Sequence, residues 1–360
     1  MRVYNFSAGP GMLPLEVLER VQKEITDYDG SGMSVMEMSH RSKPYQKIND
    51  RTEALLRELM RVPDNYDILF VQGGATNQFS AVPLNIGTQN RKADYVVTGN
   101  FAKNAYKEGA IHLDAAVAAS SEDKNFTYIP ELTPDMFRRD ADFVHICYNN
   151  TIFGTRYVAP PDTDGIPLAC DMSSMILSQE VNVSDFALIY AGAQKNIGPA
   201  GVTLVIVRHD LTERADAKCP VMLRYDNQVK NKSLYNTPPC FSTYVVMEVL
   251  NYLKERGGIS AIQKVNEKKA KKLYDYIDNS SYYVNSVQKK YRSIMNVPFV
   301  SPSKELDEKF VAQAAENGLV SLKGHRLVGG MRASIYNAMP EEGVDALIAF
   351  MEKFKKENKA

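Results

Sequence analysis

The sequence has 360 residues, of which 44% are hydrophobic and 24% are charged, and its 43 basic residues balance its 43 acidic residues. At roughly 150 residues per domain, this length predicts two domains and a large core. The zero net charge argues against a basic nucleic-acid binder and against an acidic tail protein.

Three features of the sequence indicate the compartment. The four cysteines contain no CxxC pair, which argues against a zinc ribbon, a dithiol motif and a disulfide framework. The N-terminal residues lack the basic-then-apolar pattern of a signal peptide. The longest apolar runs have the length of strands and are too short for a membrane span. We therefore expect a cytoplasmic globular protein.

The first two thirds of the chain alternate short apolar runs with amphipathic segments. The runs are rich in β-branched and aromatic residues and are bounded by Gly, Pro, Asp or Asn, as is typical of strands. They lie at residues 68–71, 95–97, 143–147, 168–170, 187–190 and 202–207. Helical patterns separate several of them, among them Leu18, Val21 and Ile25 and the segment 77–84. The alternation predicts an α/β large domain, residues 16–256, with a mostly parallel sheet.

The pattern changes after Gly257-Gly258 and predicts a smaller α+β domain at residues 257–360. Its first helix has an apolar side formed by Ile259, Ile262, Val265, Leu273 and Ile277. Strand patterns follow at 294–300, 320–322 and 332–336, with a helix at 305–315 and a last helix whose first residue is Pro340. Residues 1–15 are predicted to pack with this domain.

A lysine-rich run, residues 268–272, lies within the first helix of the predicted small domain. Charge runs of this kind are usually solvated helix faces, and nucleic-acid contact is the alternative. We predict a solvated face, because the net charge of the chain is zero.

The glycine turn after the strand at 68–71 is the first candidate site, because ligands of such sheets bind beyond the carboxyl ends of the strands. Gly73-Gly74 leads directly into a helical pattern. Backbone N–H groups at such a turn can bind a phosphate, although an ordinary strand–helix turn would look the same. The turn matches neither a Walker A loop nor GxGxxG, so nucleotide binding is not favoured.

Asp171 and Lys195 follow the apolar runs at residues 168–170 and 187–190. Asp171 could orient a base, bind a metal or pair with a cationic ring nitrogen, and a helix N-cap is the simpler interpretation. Lys195 stands in a loop of small residues between two apolar strands, where partial desolvation favours a neutral, nucleophilic amine. A surface lysine is the alternative. Pyridoxal phosphate (PLP) requires a lysine, an aspartate and a phosphate cup together, and this chain has all three at successive strand ends.

Several segments, in this order, resemble the phosphoserine aminotransferase family of the class V aminotransferases. They are residues 5–10 (NFSAGP), 73–79 (GGATNQF), 171–174 (DMSS), 194–199 (QKNIGP), 235–239 (YNTPP), 324–326 (GHR) and 330–334 (GMRAS). The resemblance covers essentially the whole chain and implies the PLP-dependent transferase fold type I. The combination of NFSAGP with GHR and GMRAS is specific to this family.

The resemblance also implies roles for individual residues. Lys195 would form the Schiff base with PLP and move the proton between Cα of the substrate and the cofactor, and Asp171 would pair with the pyridine nitrogen. The other cofactor-binding positions would be Ala75, Thr76, Phe101, Thr151, Gln194, Asn236 and Thr237. Of these, Asn236 and Thr237 would reach the phosphate of the neighbouring subunit, which implies a homodimer with shared active sites. The substrate-binding positions would be His40, Arg41, His325, Arg326 and Arg332.

The implied reaction is reversible amino transfer from O-phospho-L-serine to 2-oxoglutarate, giving 3-phosphooxypyruvate and L-glutamate in serine biosynthesis. Each of these acids carries a distal phosphate or carboxylate, and arginine forms bidentate pairs with both anions. The resemblance leaves open whether 4-phosphohydroxy-L-threonine, of vitamin B6 biosynthesis, is also a substrate. No metal, nucleic acid or membrane is implied.

One departure from the family concerns the residue that stacks on the cofactor ring. The chain contains no tryptophan, and Phe101 stands where the family frequently has one. Phenylalanine keeps the aromatic face and loses the indole N–H, so we expect the site to survive.

Two alternatives remain open at this stage. One is another class V PLP enzyme, such as a cysteine desulfurase with Cys240 as the nucleophile or a serine–glyoxylate aminotransferase. The other is a non-catalytic protein that binds a phosphate ligand.

Overall fold

The computed structural model describes residues 2–358, so residue 1 of the predicted N-terminal segment and residues 359–360 of the predicted small domain lie outside it. The strands are β1 (Tyr4–Asn5), β2 (Tyr66–Val71), β3 (Lys92–Val97), β4 (Asp114–Ser120), β5 (Phe143–Cys147), β6 (Leu168–Asp171), β7 (Leu188–Gly192), β8 (Thr203–Arg208), β9 (Asn296–Phe299), β10 (Leu319–Val320) and β11 (Met331–Ser334). The α-helices are α1 (Leu15–Glu24), α2 (Lys43–Met60), α3 (Gly74–Ile86), α4 (Asn100–His112), α5 (Tyr225–Lys230), α6 (Cys240–Glu255), α7 (Gly258–Asp278), α8 (Lys304–Glu316) and α9 (Glu341–Glu357).

Seven strands form the central sheet, in the order β2-β8-β7-β6-β5-β3-β4. All pairs are parallel except those of β8, which runs antiparallel to both β2 and β7. A short loop joins β7 to β8, and such a loop returns the chain only in the antiparallel direction. The predicted α/β class with a mostly parallel sheet is therefore confirmed.

Helices cover both faces of this sheet, so its strands are buried on both sides. Side chains such as Leu69 and Val205 face Phe79 of α3, whereas Ile146 and Ile206 face the layer that contains α2 and α6. A strand buried on both faces reads as a continuous apolar run. This is why the sequence pattern located these strands well.

The edge strand β4 was not predicted. Its sequence, DAAVAAS, contains one β-branched apolar residue, Val117, and that residue is 42% exposed. An edge strand with one solvated face does not need the apolar run that identifies a buried strand.

The remaining strands form two small sheets. β1 pairs in parallel with β10, and β9 pairs antiparallel with β11. The backbone N–H of Phe6 extends the first pairing by donating to the carbonyl of Val320. The division of the chain into segments at residues 16 and 257 stays a prediction.

Four details of the predicted helices were wrong. Helix α3 begins at Gly74, three residues before the predicted start, and Pro340 is the N-cap of α9, not its first helical residue. In α7, Val265 is 42% exposed and so does not belong to the apolar side. The lysine-rich run is not a uniformly solvated face, because Lys269 is fully buried.

Within residues 2–358, none of the helices combines the length and the apolarity that crossing a bilayer requires.

Candidate active site

Lys195 lies in the loop between β7 and β8, at the carboxyl end of β7. Its Nζ donates a hydrogen bond of 2.7 Å to Oγ1 of Thr151 and lies 4.8 Å from the centre of the Phe101 ring. Burial lowers the pKa of Lys195, and the charge of Asp171 opposes this effect. The structure therefore brings these four residues together in one chain, with an amine that loses its proton more easily than a solvated lysine.

Asp171 is the last residue of β6 and is only 5% exposed. Its Oδ1 accepts a hydrogen bond of 2.8 Å from the backbone N–H of Ser173. The simpler interpretation, a helix N-cap, is wrong, because residues 173–177 form turns and no helix begins there. A buried carboxylate in this position can stabilise a cationic group placed over the strand end.

The glycine turn after β2 forms the start of α3. Gly73 has φ +95° and is the N-cap, and a side chain there would also lie within 2.6 Å of Asn77 Cβ. Ala75 and Thr76 are in the first turn of the helix, where backbone N–H groups have no partner within the helix. This helix start can bind a phosphate group.

Arg332 lies near Lys195 and forms a cationic group with His325 and Arg326. Nη1 of Arg332 donates to the carbonyl of Thr151 at 3.3 Å, and its buried Nε has no partner among the described residues. The pKa of His325 is lowered by burial and then by the charges of Arg332 and Arg326. The charge of Arg332 also contributes to the lowered pKa of Lys195. Across residues 2–358 no carboxylate pairs with these two arginines, which suits them to bind an anionic ligand.

Among the described residues, no hydrogen bond joins the other predicted substrate and partner-facing residues to this group. His40 and Arg41 form the turn before α2, and Asn236 and Thr237 are exposed in the loop before α6. No hydrogen bond among the described residues joins any of them to Lys195. The loop does touch the glycine turn, because the side-chain amide of Gln72 donates to the carbonyl of Thr237 at 2.9 Å.

The N-terminal segment 5–11 forms a wall of the site that the sequence motif did not assign. The N–H of Gly11 donates to the carbonyl of Gln194 at 2.7 Å. A Cβ on Gly9, whose φ is +151°, would lie 3.3 Å from Cγ of Lys195. The small residues of this segment therefore allow its backbone to pack directly on the lysine.

Asn149 is a further residue that the sequence reasoning missed. Its side-chain amide donates to Oγ of Ser174 at 2.7 Å and to Oδ1 of Asn296 at 2.8 Å. It follows the end of β5, so the inspection of polar residues after each strand could have found it. Through Asn149, the turn after Asp171 is hydrogen-bonded to β9.

These residues fit the cofactor that the resemblance implies. Lys195 supplies a half-buried amine, Asp171 a buried carboxylate, Phe101 an aromatic face and the start of α3 a phosphate cup. All four are the groups that PLP requires. The unpaired guanidinium of Arg332 beside Lys195 also fits an α-carboxylate at the same place.

Comparison with known proteins places the chain among aminotransferases. The model of the aminotransferase class-V family matches residues 3–347. The phosphoserine aminotransferase of Bacillus cereus is 55% identical over 358 residues, which are 99% of this chain and 99% of that protein.

Two solved structures show the same fold over nearly their whole length. The phosphoserine aminotransferase from Bacillus circulans subsp. alkalophilus superposes with a TM-score of 0.96 at 49% identity, over 99% of both chains. The PLP-bound phosphoserine aminotransferase from Trichomonas vaginalis gives a TM-score of 0.93 at 40% identity, over 98% of this chain and 100% of that one.

Proposed function

This chain belongs to the class-V aminotransferase family, and from that membership and its full-length similarity to phosphoserine aminotransferases we infer that it is a PLP-dependent enzyme that transaminates O-phospho-L-serine. The reaction transfers the amino group to 2-oxoglutarate, giving 3-phosphooxypyruvate and L-glutamate, and it is reversible. It is a step of serine biosynthesis. The full-length similarity to phosphoserine aminotransferases supports the substrate.

The observation that carries this proposal is the contact group around Lys195. The lysine amine, Thr151, Phe101 and Arg332 lie together at the carboxyl ends of neighbouring strands. When bound, PLP supplies the electron sink that makes the Cα proton of an amino acid labile. With PLP held by these residues, Nζ of Lys195 would be the base that accepts this proton from Cα and holds it for transfer.

The remaining site residues bind and orient the cofactor and the substrate. We assign the pyridine nitrogen to Asp171, the ring face to Phe101 and Thr151, and the phosphate to Ala75, Thr76 and Gln194. Arg332 binds the α-carboxylate, because it lies beside Lys195, where the α-carbon must react. His325 and Arg326, with His40 and Arg41, bind the distal anion.

We also propose that the enzyme is a cytoplasmic homodimer. Asn236 and Thr237 are exposed in a loop that passes the phosphate cup, which suits a contribution across a subunit interface. The four cysteines are all unpaired thiols, as is usual in a reducing compartment.

The desulfurase alternative is not favoured by the site. Cys240 begins α6, and burial raises the pKa of its thiol. A raised pKa leaves less of the nucleophilic thiolate at neutral pH.

Half-reaction spectra test the proposed function. The purified, PLP-loaded protein should be yellow, and phosphoserine and glutamate should convert its visible band, whereas serine should act poorly. A parallel sample with 4-phosphohydroxy-L-threonine tests whether this compound also converts the band and is therefore a second substrate. A band that responds to serine and phosphoserine equally would contradict the phosphoserine assignment, and a protein that stays colourless after incubation with PLP would support the alternative of a non-catalytic binding protein.

Arginine substitutions should separate the two ends of the substrate. Arg326→Ala and Arg41→Ala should weaken phosphoserine binding about tenfold to a hundredfold, because a charge-assisted pair contributes about 1.5–3 kcal/mol. Alanine as amino donor should be little affected. Arg332→Ala should instead weaken all amino acids alike, because all have an α-carboxylate. Steady-state KM values for phosphoserine, glutamate and alanine measure these effects. If Arg326→Ala and Arg41→Ala raised KM for alanine as much as KM for phosphoserine, the assignment of the distal anion would be contradicted.

We expect the aromatic face of Phe101 to stabilise bound PLP. Phe101→Ala should weaken PLP retention about threefold to tenfold, because an aromatic contact contributes about 0.5–1.5 kcal/mol. Phe101→Trp, which keeps the face, is the matched control. Titration of the cofactor-free protein with PLP gives the affinities, and an unchanged affinity in Phe101→Ala would exclude stacking.

A further inference from the structure

Lys269 is a buried lysine without a carboxylate partner. It lies in α7 with no exposed surface, and its Nζ donates to the carbonyls of Ile335, Tyr336 and Met339 at 3.2, 2.9 and 2.8 Å. An ammonium group has three N–H donors, and here each has an acceptor. No ion pair within residues 2–358 includes Lys269. The three carbonyls belong to one segment, residues 335–339, which directly follows β11.

This segment touches the active site through Tyr336. The Tyr336 hydroxyl donates to the carbonyl of Ala8 at 2.7 Å, and its ring would lie 2.9 Å from a Cβ on Gly11. Ala8 and Gly11 belong to the N-terminal wall. Because the N–H of Gly11 in turn donates to the carbonyl of Gln194, Tyr336 supports the wall that packs on Lys195.

The same segment touches the loop of Lys195 through Asn337. The N–H of Asn337 donates to Oδ1 of Asn196 at 2.9 Å, and Asn196 is the neighbour of Lys195 in the chain. The side-chain amide of Asn337 donates to the carbonyl of Leu177 at 2.9 Å, at the end of the turns that follow Asp171. Two independent sets of contacts therefore lead from the segment to the reacting lysine.

Burying a charge among neutral groups is costly, so a residue that only packed there would be better replaced by an apolar one. The neighbouring lysines show the usual arrangement, since Lys268 and Lys272 pair with Glu341 at the surface and Lys271 pairs with Asp275. Lys269 differs from these lysines because its three hydrogen bonds hold the backbone of residues 335–339 in place. Tyr336 and Asn337 project from that backbone.

We propose that Lys269 is a positioning residue for amino transfer: it fixes residues 335–339 and thereby sets the position of Lys195 through Tyr336 and Asn337. This inference rests on the proposed function for its kinetic readout. Lys269 does not touch substrate or cofactor, so its removal should change the proton-transfer step more than the binding of the distal anion.

Lys269→Met tests the proposal, because methionine has a similar length and no donor. In the PLP-loaded enzyme we expect kcat to fall about tenfold or more while KM for phosphoserine changes less than about threefold, since small misplacements of a reacting group are costly. The pH midpoint of the visible absorption band, which reports the environment of Nζ of Lys195 where it is bonded to PLP, should shift by roughly half a unit. Lys271→Met, an exposed lysine of the same helix, should change neither.

Tyr336→Phe covers the case in which Lys269→Met does not fold, because it removes one hydroxyl and leaves Lys269 in place. It should shift the absorption midpoint and lower kcat in the same direction by a smaller factor. If every folded variant keeps the wild-type kcat and midpoint and loses only thermal stability, Lys269 is merely structural and the proposal is overturned. If the wild type fails to transaminate phosphoserine, the midpoint comparison still decides the role of Lys269, because it needs PLP but no substrate.

Discussion

Lys195→Ala is expected to lower turnover at least about a thousandfold while leaving a folded protein, because general acid–base catalysis alone contributes about 10²- to 10⁴-fold. The physical reason is the position of Nζ, 2.7 Å from Thr151 Oγ1 and over the Phe101 ring, at the site where an α-carbon must react. Stopped-flow half-reactions measure the rate. Circular dichroism and thermal unfolding show whether the variant is folded.

A chemical experiment checks the same assignment without kinetics. Borohydride reduction of the PLP-loaded wild type should attach a pyridoxyl group to Lys195, which peptide mapping identifies. Lys103→Ala is a suitable control, because Lys103 is a surface residue paired with Glu122. An adduct on any other lysine would defeat the assignment of Lys195.

The second large effect concerns Thr237. Thr237→Glu should severely impair the enzyme, because a carboxylate beside the cofactor phosphate replaces a donor with a like charge. We expect PLP retention to fall more than about tenfold, which corresponds to about 1.4 kcal/mol. Thr237→Ser keeps the hydroxyl and is the matched control. Equilibrium dialysis of PLP against both variants measures the difference.

Mixed dimers then decide which subunit Thr237 serves. Within one chain the carbonyl of Thr237 accepts from Gln72, beside the phosphate cup of that same chain, so the question is open to experiment. If Thr237 serves the partner, a dimer of Thr237→Glu with Lys195→Ala has one doubly damaged site and one intact site. Differently tagged chains purified as mixed dimers should then recover up to about half of wild-type activity, as two-fold symmetry requires. Mixed dimers as inactive as their parents would place Thr237 in its own chain's site or outside any site.

The sequence alone predicted six of the seven strands of the central sheet, because the signals of those strands are local. Buried parallel strands read as apolar runs, and the polar residues after them lie at one edge of the sheet. That rule selects Asp171, Lys195 and the turn at Gly73 from the sequence. Family motifs added the cationic residues, of which the structure brings Arg332 near Lys195 and groups His325 and Arg326 with Arg332.

The tertiary structure decided what depends on residues distant in sequence. Lys269 resembles its solvated neighbours in every local respect, and its burial follows only from the position of residues 335–339 against α7. The support that the N-terminal segment gives to Lys195 has the same origin, because residues 8–11 contact Lys195 and Tyr336 in a chain whose β1 pairs with the distant β10. Periodicity and turn chemistry are properties of a few neighbouring residues, whereas burial and hydrogen-bond partners are set by the packing of the whole chain.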